Sequence, residues 1–154
     1  MAPYNSVMMK FLLLACLAFS ALSTTAGSES RSAKNTNVAS VVRLNKNRLH
    51  AGTEGEILIT LTPNKGIHIN LDPPLSIVLD SSDAISSVGN ADVPKKDTVL
   101  DVSKPIRLSF SLSKKIKPGS VTIRGTVTYF YCSEIEGWCS KFRQPFEVKL
   151  TVVR

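Results

Sequence analysis

The feature that most constrains this chain is a strict two-residue rhythm. In "PIRLSFSLS" (105–113), Ile106, Leu108, Phe110 and Leu112 alternate with Arg107, Ser109, Ser111 and Ser113. "GEILITLTP" (55–63) places Ile57, Ile59 and Leu61 on one face, and "VTIRGTVTY" (121–129) and "FEVKLTV" (146–152) repeat the pattern. Side chains of an extended chain point to opposite faces in turn, so such segments are strands with one buried face. Between them lie turn-forming clusters: "HAGTEG", "TPNKG", "LDPP", "SVGNAD" and "KKIKPGS". Glycine, proline, asparagine and aspartate bend a chain for distinct steric and hydrogen-bonding reasons. No segment carries a convincing helical period, and there are no internal repeats. The predicted fold is all-β, an immunoglobulin-like antiparallel β-sandwich.

The rhythm starts only near residue 38. Before it, "MMKFLLLACLAFSALSTTAGS" has the form of a secretory signal peptide: Lys10, an apolar run from Phe11 to Leu22, then small residues ending at Ala26. That run is too short for a comfortable membrane span. "LLAC" before Cys16 suggests a lipoprotein signal, but the apolar stretch continues past it as "LAFSAL", so ordinary cleavage after Ala26 is expected. The organisation is thus a signal peptide at 1–26, a flexible polar lead at 27–37 and a sandwich domain at 38–154. A total of 154 residues suits one such domain.

Export decides how the cysteines and charges are read. Of three cysteines, Cys16 is lost with the signal, leaving Cys132 and Cys139 in a periplasmic or extracellular compartment where disulfides persist. Removing Lys10 from 19 Lys and Arg leaves 18 against 12 Asp and Glu, a net charge of +6. Its basic residues are spread along the chain, and Lys95-Lys96 and "KKIK" (114–117) flank turns, so nothing points to nucleic acid.

The two remaining cysteines bracket a loop in "TVTYFYCSEIEGWCSKF" (126–142). If Cys132 lies opposite Cys139 in an antiparallel hairpin, Tyr129 meets Phe142, Ile123 meets Val148, Val121 meets Leu150, and Arg124 meets Glu147. Apolar residues then face apolar ones and opposite charges face each other. A one-residue slip mixes the faces. Pro145 falls opposite Thr126, a position that asks for no amide donor, and the strand's other side there should be an edge or a bulge. Parity puts both cysteines off the apolar stripe, and a directly opposed non-hydrogen-bonded pair has Cα atoms ~4.5 Å apart.

Three readings of the pair stay open: a structural staple, a metal site and a redox pair. Zinc-binding cysteines are usually separated by two to four residues, whereas six lie between these, and no histidine spacing completes a set; no metal or other cofactor is expected. Haem attachment would need a histidine directly after a closely spaced pair. No Ser/His/Asp grouping, phosphate-binding glycine loop or pair of catalytic carboxylates stands out. Glu134 and Glu136 fit loop solvation. Lys141 would lower a nearby thiol pKa and the two glutamates would raise one. His68, in "IHIN" beside a turn, fits a hydrogen-bonded structural residue. Trp138, the single tryptophan, is either a plug for the sandwich end or a docking surface for a partner.

"YFYCSEIEGWCSKFRQPFEVKLTV" (129–152) resembles the C-terminal part of the N-terminal periplasmic domain of the DsbD thiol:disulfide interchange proteins, and related small domains attached to thioredoxin-like or NHL-repeat proteins. "KGIHINLDPPLSIVLD" (65–80) resembles a second segment of that family, in the same order. The resemblance implies an immunoglobulin-like sandwich in which Cys132 and Cys139 form a redox-active disulfide that carries electrons between partner thiols. It implies that Cys139 forms the mixed disulfide, and that the partner is a thioredoxin-like or other periplasmic thiol–disulfide protein. The rival expectation is a non-enzymatic binding module whose hairpin disulfide stiffens a recognition loop around Trp138.

Overall fold

The computed structural model describes residues 34–154. The expected signal peptide, Cys16 and residues 27–33 of the lead lie outside the described residues. In chain order the strands are β1 (Val38–Leu44), β2 (Arg48–His50), β3 (Glu54–Pro63), β4 (Ile67–Asn70), β5 (Ser76–Leu79), β6 (Ile85–Asp92), β7 (Lys95–Lys96), β8 (Val99–Leu100), β9 (Ile106–Leu112), β10 (Gly119–Ser133) and β11 (Trp138–Val153). No helix occurs among the described residues, and none is long and apolar enough to cross a membrane.

The strands form the two sheets of an all-β, immunoglobulin-like sandwich. One sheet has the order β1-β3-β9-β6; the other runs β2-β11-β10-β4-β8-β7, with β5 also paired to β10. Pairing is antiparallel throughout, except that the short β2 lies parallel to the end of β11. The alternation decides what lies between the sheets. Ile106, Leu108, Phe110 and Leu112 are all buried, as are Ile57, Ile59 and Leu61, and they meet Ile123, Val127, Tyr129, Val148 and Leu150 from the opposite sheet. Each fully buried side chain of this size contributes roughly 1.5–3 kcal/mol of transfer free energy, so the core outweighs any single cross-link.

Two segments differ from expectation. "SVGNAD" (87–92), which reads as a turn, is the greater part of β6. β6 is an edge strand with two register shifts against β9, and nearly all of it is exposed. With neither face covered it has no apolar rhythm to display. At the other end of the chain, part of the expected flexible lead is docked. Asn35 is buried, its Nδ2 donates to Tyr129 Oη at 3.1 Å, and its Oδ1 accepts the Asn37 amide at 2.8 Å. The polar character of "KNTN" conceals a buried anchor.

Candidate functional site: a disulfide at the outer face of the long hairpin

β10 and β11 form one continuous ladder from Gly119–Val152 to Ser133–Trp138. Cys132 faces Cys139, Arg124 faces Glu147, Tyr129 faces Phe142 and Thr126 faces Pro145. The register is the one that face parity and charge pairing demand. β2 meets β11 only at Thr151–Val153, so β11 is an edge at Pro145, which has no amide proton to offer a neighbour. The turn is closed locally. Gly137, at φ 69°, adopts the left-handed conformation that glycine tolerates, and its amide donates to Ser133 O at 3.0 Å. The Glu136 amide donates to Ser133 Oγ at 3.2 Å.

Cys132 and Cys139 are joined by a disulfide, with Cα atoms 4.0 Å apart, the close spacing of a non-hydrogen-bonded pair. Both lie on the outer face of the larger sheet, off the apolar stripe. Their surroundings are unequal. Cys132 is only 5% exposed, whereas Cys139 is exposed. Parity accounts for the face but not for this burial. The cause is β4, which lies on the other side of β10 with His68 opposite Cys132 and Asn70 opposite Phe130. Cys132 is therefore flanked by strands on both sides, while among the described residues Cys139 occupies a free edge of β11.

β4 brings two polar side chains to the buried cysteine. Asn70 Nδ2 donates to Cys132 Sγ at 3.0 Å. His68 Nδ1 is buried and lies 3.2 Å from Glu134 Oε1, but the approach lacks hydrogen-bond alignment and the nitrogen has no hydrogen-bond partner among the described residues. The expectation of a hydrogen-bonded structural histidine is thus not met at this nitrogen. On the far side, Lys141 holds its Nζ 5.7 Å from the centroid of Phe130, which keeps an ammonium on the outer face two residues from Cys139.

Trp138 lies on the opposite face from the sulfurs. Half-buried, it packs edge-on against Tyr131 with centroids 5.7 Å apart, and its Nε1 donates to Glu136 Oε2. Tyr131 continues to Tyr129 and Tyr129 to Phe142, at 6.1 and 5.9 Å. This aromatic row closes the hairpin end of the core. Among the described residues, no three His, Cys, Asp or Glu side chains converge as metal ligands would. The sequence reading singled out Cys132, Cys139, His68, Lys141 and Trp138. It missed Asn70, although "IHIN" places His68 and Asn70 on one face of a strand; the neighbour of that strand was not legible.

No protein-family model matches the chain, and no curated protein matches it. Among solved structures it is similar to AggA, the major subunit of aggregative adherence fimbriae type I from Escherichia coli. Identity is 12% and the TM-score 0.44, over 78% of this chain and 98% of that one.

Proposed function

We propose that this chain is an exported thiol–disulfide exchange module whose working bond is Cys132–Cys139. One observation carries the reading: the bond joins an exposed cysteine at a free strand edge to a buried one that already receives a hydrogen bond on its sulfur. The hairpin does not need the bond to form, because the β10–β11 ladder already holds both ends of the loop in the folded state. The resemblance to DsbD N-terminal domains supports the same assignment, and the signal-like N-terminus agrees with a compartment in which such bonds persist.

In the proposed reaction a thioredoxin-like dithiol supplies a thiolate. It attacks Cys139 Sγ, the Sγ–Sγ bond breaks, and the electron pair stays on Cys132 Sγ. The partner sulfur is now bonded to Cys139. The partner's second thiolate attacks its own sulfur in that mixed disulfide, so the partner leaves oxidised and Cys139 leaves as a thiolate. Both cysteines of this chain then take protons from water according to their pKa values. Run in reverse, the same steps pass two electrons to an oxidised partner.

Trapping tests the reading. Cys132→Ser removes the sulfur that resolves the reverse reaction, so the Cys139 thiolate should attack the disulfide of an oxidised partner and accumulate the mixed disulfide in extracts of the exported fraction, the partner's other sulfur leaving as a thiolate; Cys139→Ser should accumulate less. The wild-type bond should have a potential within roughly −120 to −270 mV, the range of exchange proteins. A potential below about −300 mV, together with no trapped partner, would leave the hairpin as a staple and favour the binding-module reading.

A further inference from the structure

Resting on that reading, we propose that Asn70 decides which sulfur leaves, its side-chain amide holding Cys132 as a thiolate once the bond opens. Asn70 Nδ2 already lies 3.0 Å from Cys132 Sγ. A disulfide sulfur is a weak acceptor, so this contact contributes little while the bond is intact. A thiolate is a charged acceptor, and hydrogen bonds to charged groups are roughly twice as strong as neutral ones. The same amide therefore favours the product of bond opening over the starting state, and only when the charge lands on Cys132.

The donor is held in place before the reaction. Asn70 sits in β4 between β10, where it faces Phe130, and β8, where it faces Val99. The next amide, Leu71 N–H, donates to Thr98 O at 3.0 Å, which fixes the chain directly after it. Cys139 has no comparable neutral donor among the described hydrogen bonds.

Other groups facing Cys132 act differently. From β4, His68 lies directly opposite; from the turn, Glu134 stands 3.2 Å from the His68 ring nitrogen. From β11 come Cys139 and, two positions along on the same face, Lys141. Histidine, glutamate and lysine change charge with pH, and the glutamate opposes a thiolate. An asparagine amide does not titrate, so its effect is a constant offset in the Cys132 ionisation at every pH.

The test isolates Cys132 in a Cys139→Ser background and titrates its thiolate absorbance. The comparison is with the same background carrying Asn70→Ala or Asn70→Asp. Losing the amide should weaken Cys132 ionisation about tenfold, and aspartate should weaken it further by adding a like charge. In the two-cysteine protein, Asn70→Ala should shift the equilibrium with glutathione roughly fivefold to tenfold toward the disulfide. Aspartate keeps the size of asparagine and serves if the alanine variant does not fold. A wild type that exchanges with glutathione while neither variant moves the titration or the equilibrium overturns the Asn70 assignment alone. A wild type that never equilibrates with glutathione overturns the exchange reading, and the leaving-group role with it.

Discussion

Arg124 Nε donates to Glu147 Oε2 at 3.0 Å across the β10–β11 ladder, eight positions from the disulfide along each strand. The ion pair and the disulfide report the same register from two distant points. Both side chains of the ion pair are well exposed, at 62% and 42%. Exposed pairs contribute little, typically 0.2–1 kcal/mol. A double-mutant cycle with Arg124→Ala and Glu147→Ala should give a coupling of about that size, shrinking in molar salt. A coupling above about 2 kcal/mol, outside the exposed range, would mean the pair fixes the register rather than accompanying it.

Removing the disulfide should leave the fold intact. The bond closes a short loop, with a sequence separation of 7, and a loop of that length is worth about 2–3 kcal/mol through the unfolded chain. Cys132→Ser combined with Cys139→Ser should lower unfolding free energy by that amount in urea. Amide exchange along Gly119–Ser133 should still show a protected ladder. Loss of protection there would show that the bond, not the core, holds the hairpin.

Asn35 should matter more than a residue in a polar lead would suggest. Its amide is the hydrogen-bond donor to Tyr129 Oη, and Tyr129 is fully buried. Asn35→Ala leaves that hydroxyl without its donor and the Asn37 amide without its acceptor. The expected cost is about 1–3 kcal/mol in chemical denaturation. An unchanged midpoint would mean that the anchor is not formed in solution.

Burial pushes the Tyr129 hydroxyl pKa up, with the Asn35 hydrogen bond pulling the other way. The folded state thus prefers the neutral phenol. The sign follows from proton binding. Below the unfolded tyrosine value, about 10, this preference is fully present; as pH rises toward the higher folded value, it is lost. The protein should therefore lose stability as pH rises past about 10, and Tyr129→Phe should lessen that loss. If the phenylalanine variant loses stability just as steeply with rising pH, another group is responsible.

Gly125 lies opposite Leu79 where β5 pairs with β10. A Cβ there would stand 2.6 Å from Val78 O, 2.8 Å from Phe146 Cζ and 3.0 Å from Leu79 Cδ2. The carbonyl belongs to a paired strand and cannot rotate away. Gly125→Ala should cost about 1–3 kcal/mol as an overpacking change, read as a lower thermal midpoint. A neutral effect would show that β5 is loosely held.

Trp138→Ala separates two roles. As part of the aromatic row on Tyr131, it should lower stability by about 1–3 kcal/mol without changing the rate at which a small dithiol reduces the disulfide. A loss of partner capture out of proportion to the loss of stability would give the ring a docking role as well.

The chain's sequence determined a good deal by itself. Alternation in 105–113 and 121–129 names the buried residues of β9 and β10, because a pleated strand has only two faces and one must be apolar. Parity, Arg124, Glu147 and Pro145 together fix the β10–β11 register, since both partners lie on adjacent segments joined by one turn. What the sequence could not contain was the identity of the third strand. β4 is separated from β10 by nearly fifty residues, and four residues, "IHIN", have no pattern that selects a neighbour. Only the folded sheet brings His68 and Asn70 to Cys132, buries that sulfur and leaves Cys139 at a free edge. The inequality of the two cysteines arises from long-range strand pairing, in which burial and hydrogen bonding depend on what lies beside a strand as well as on what lies within it.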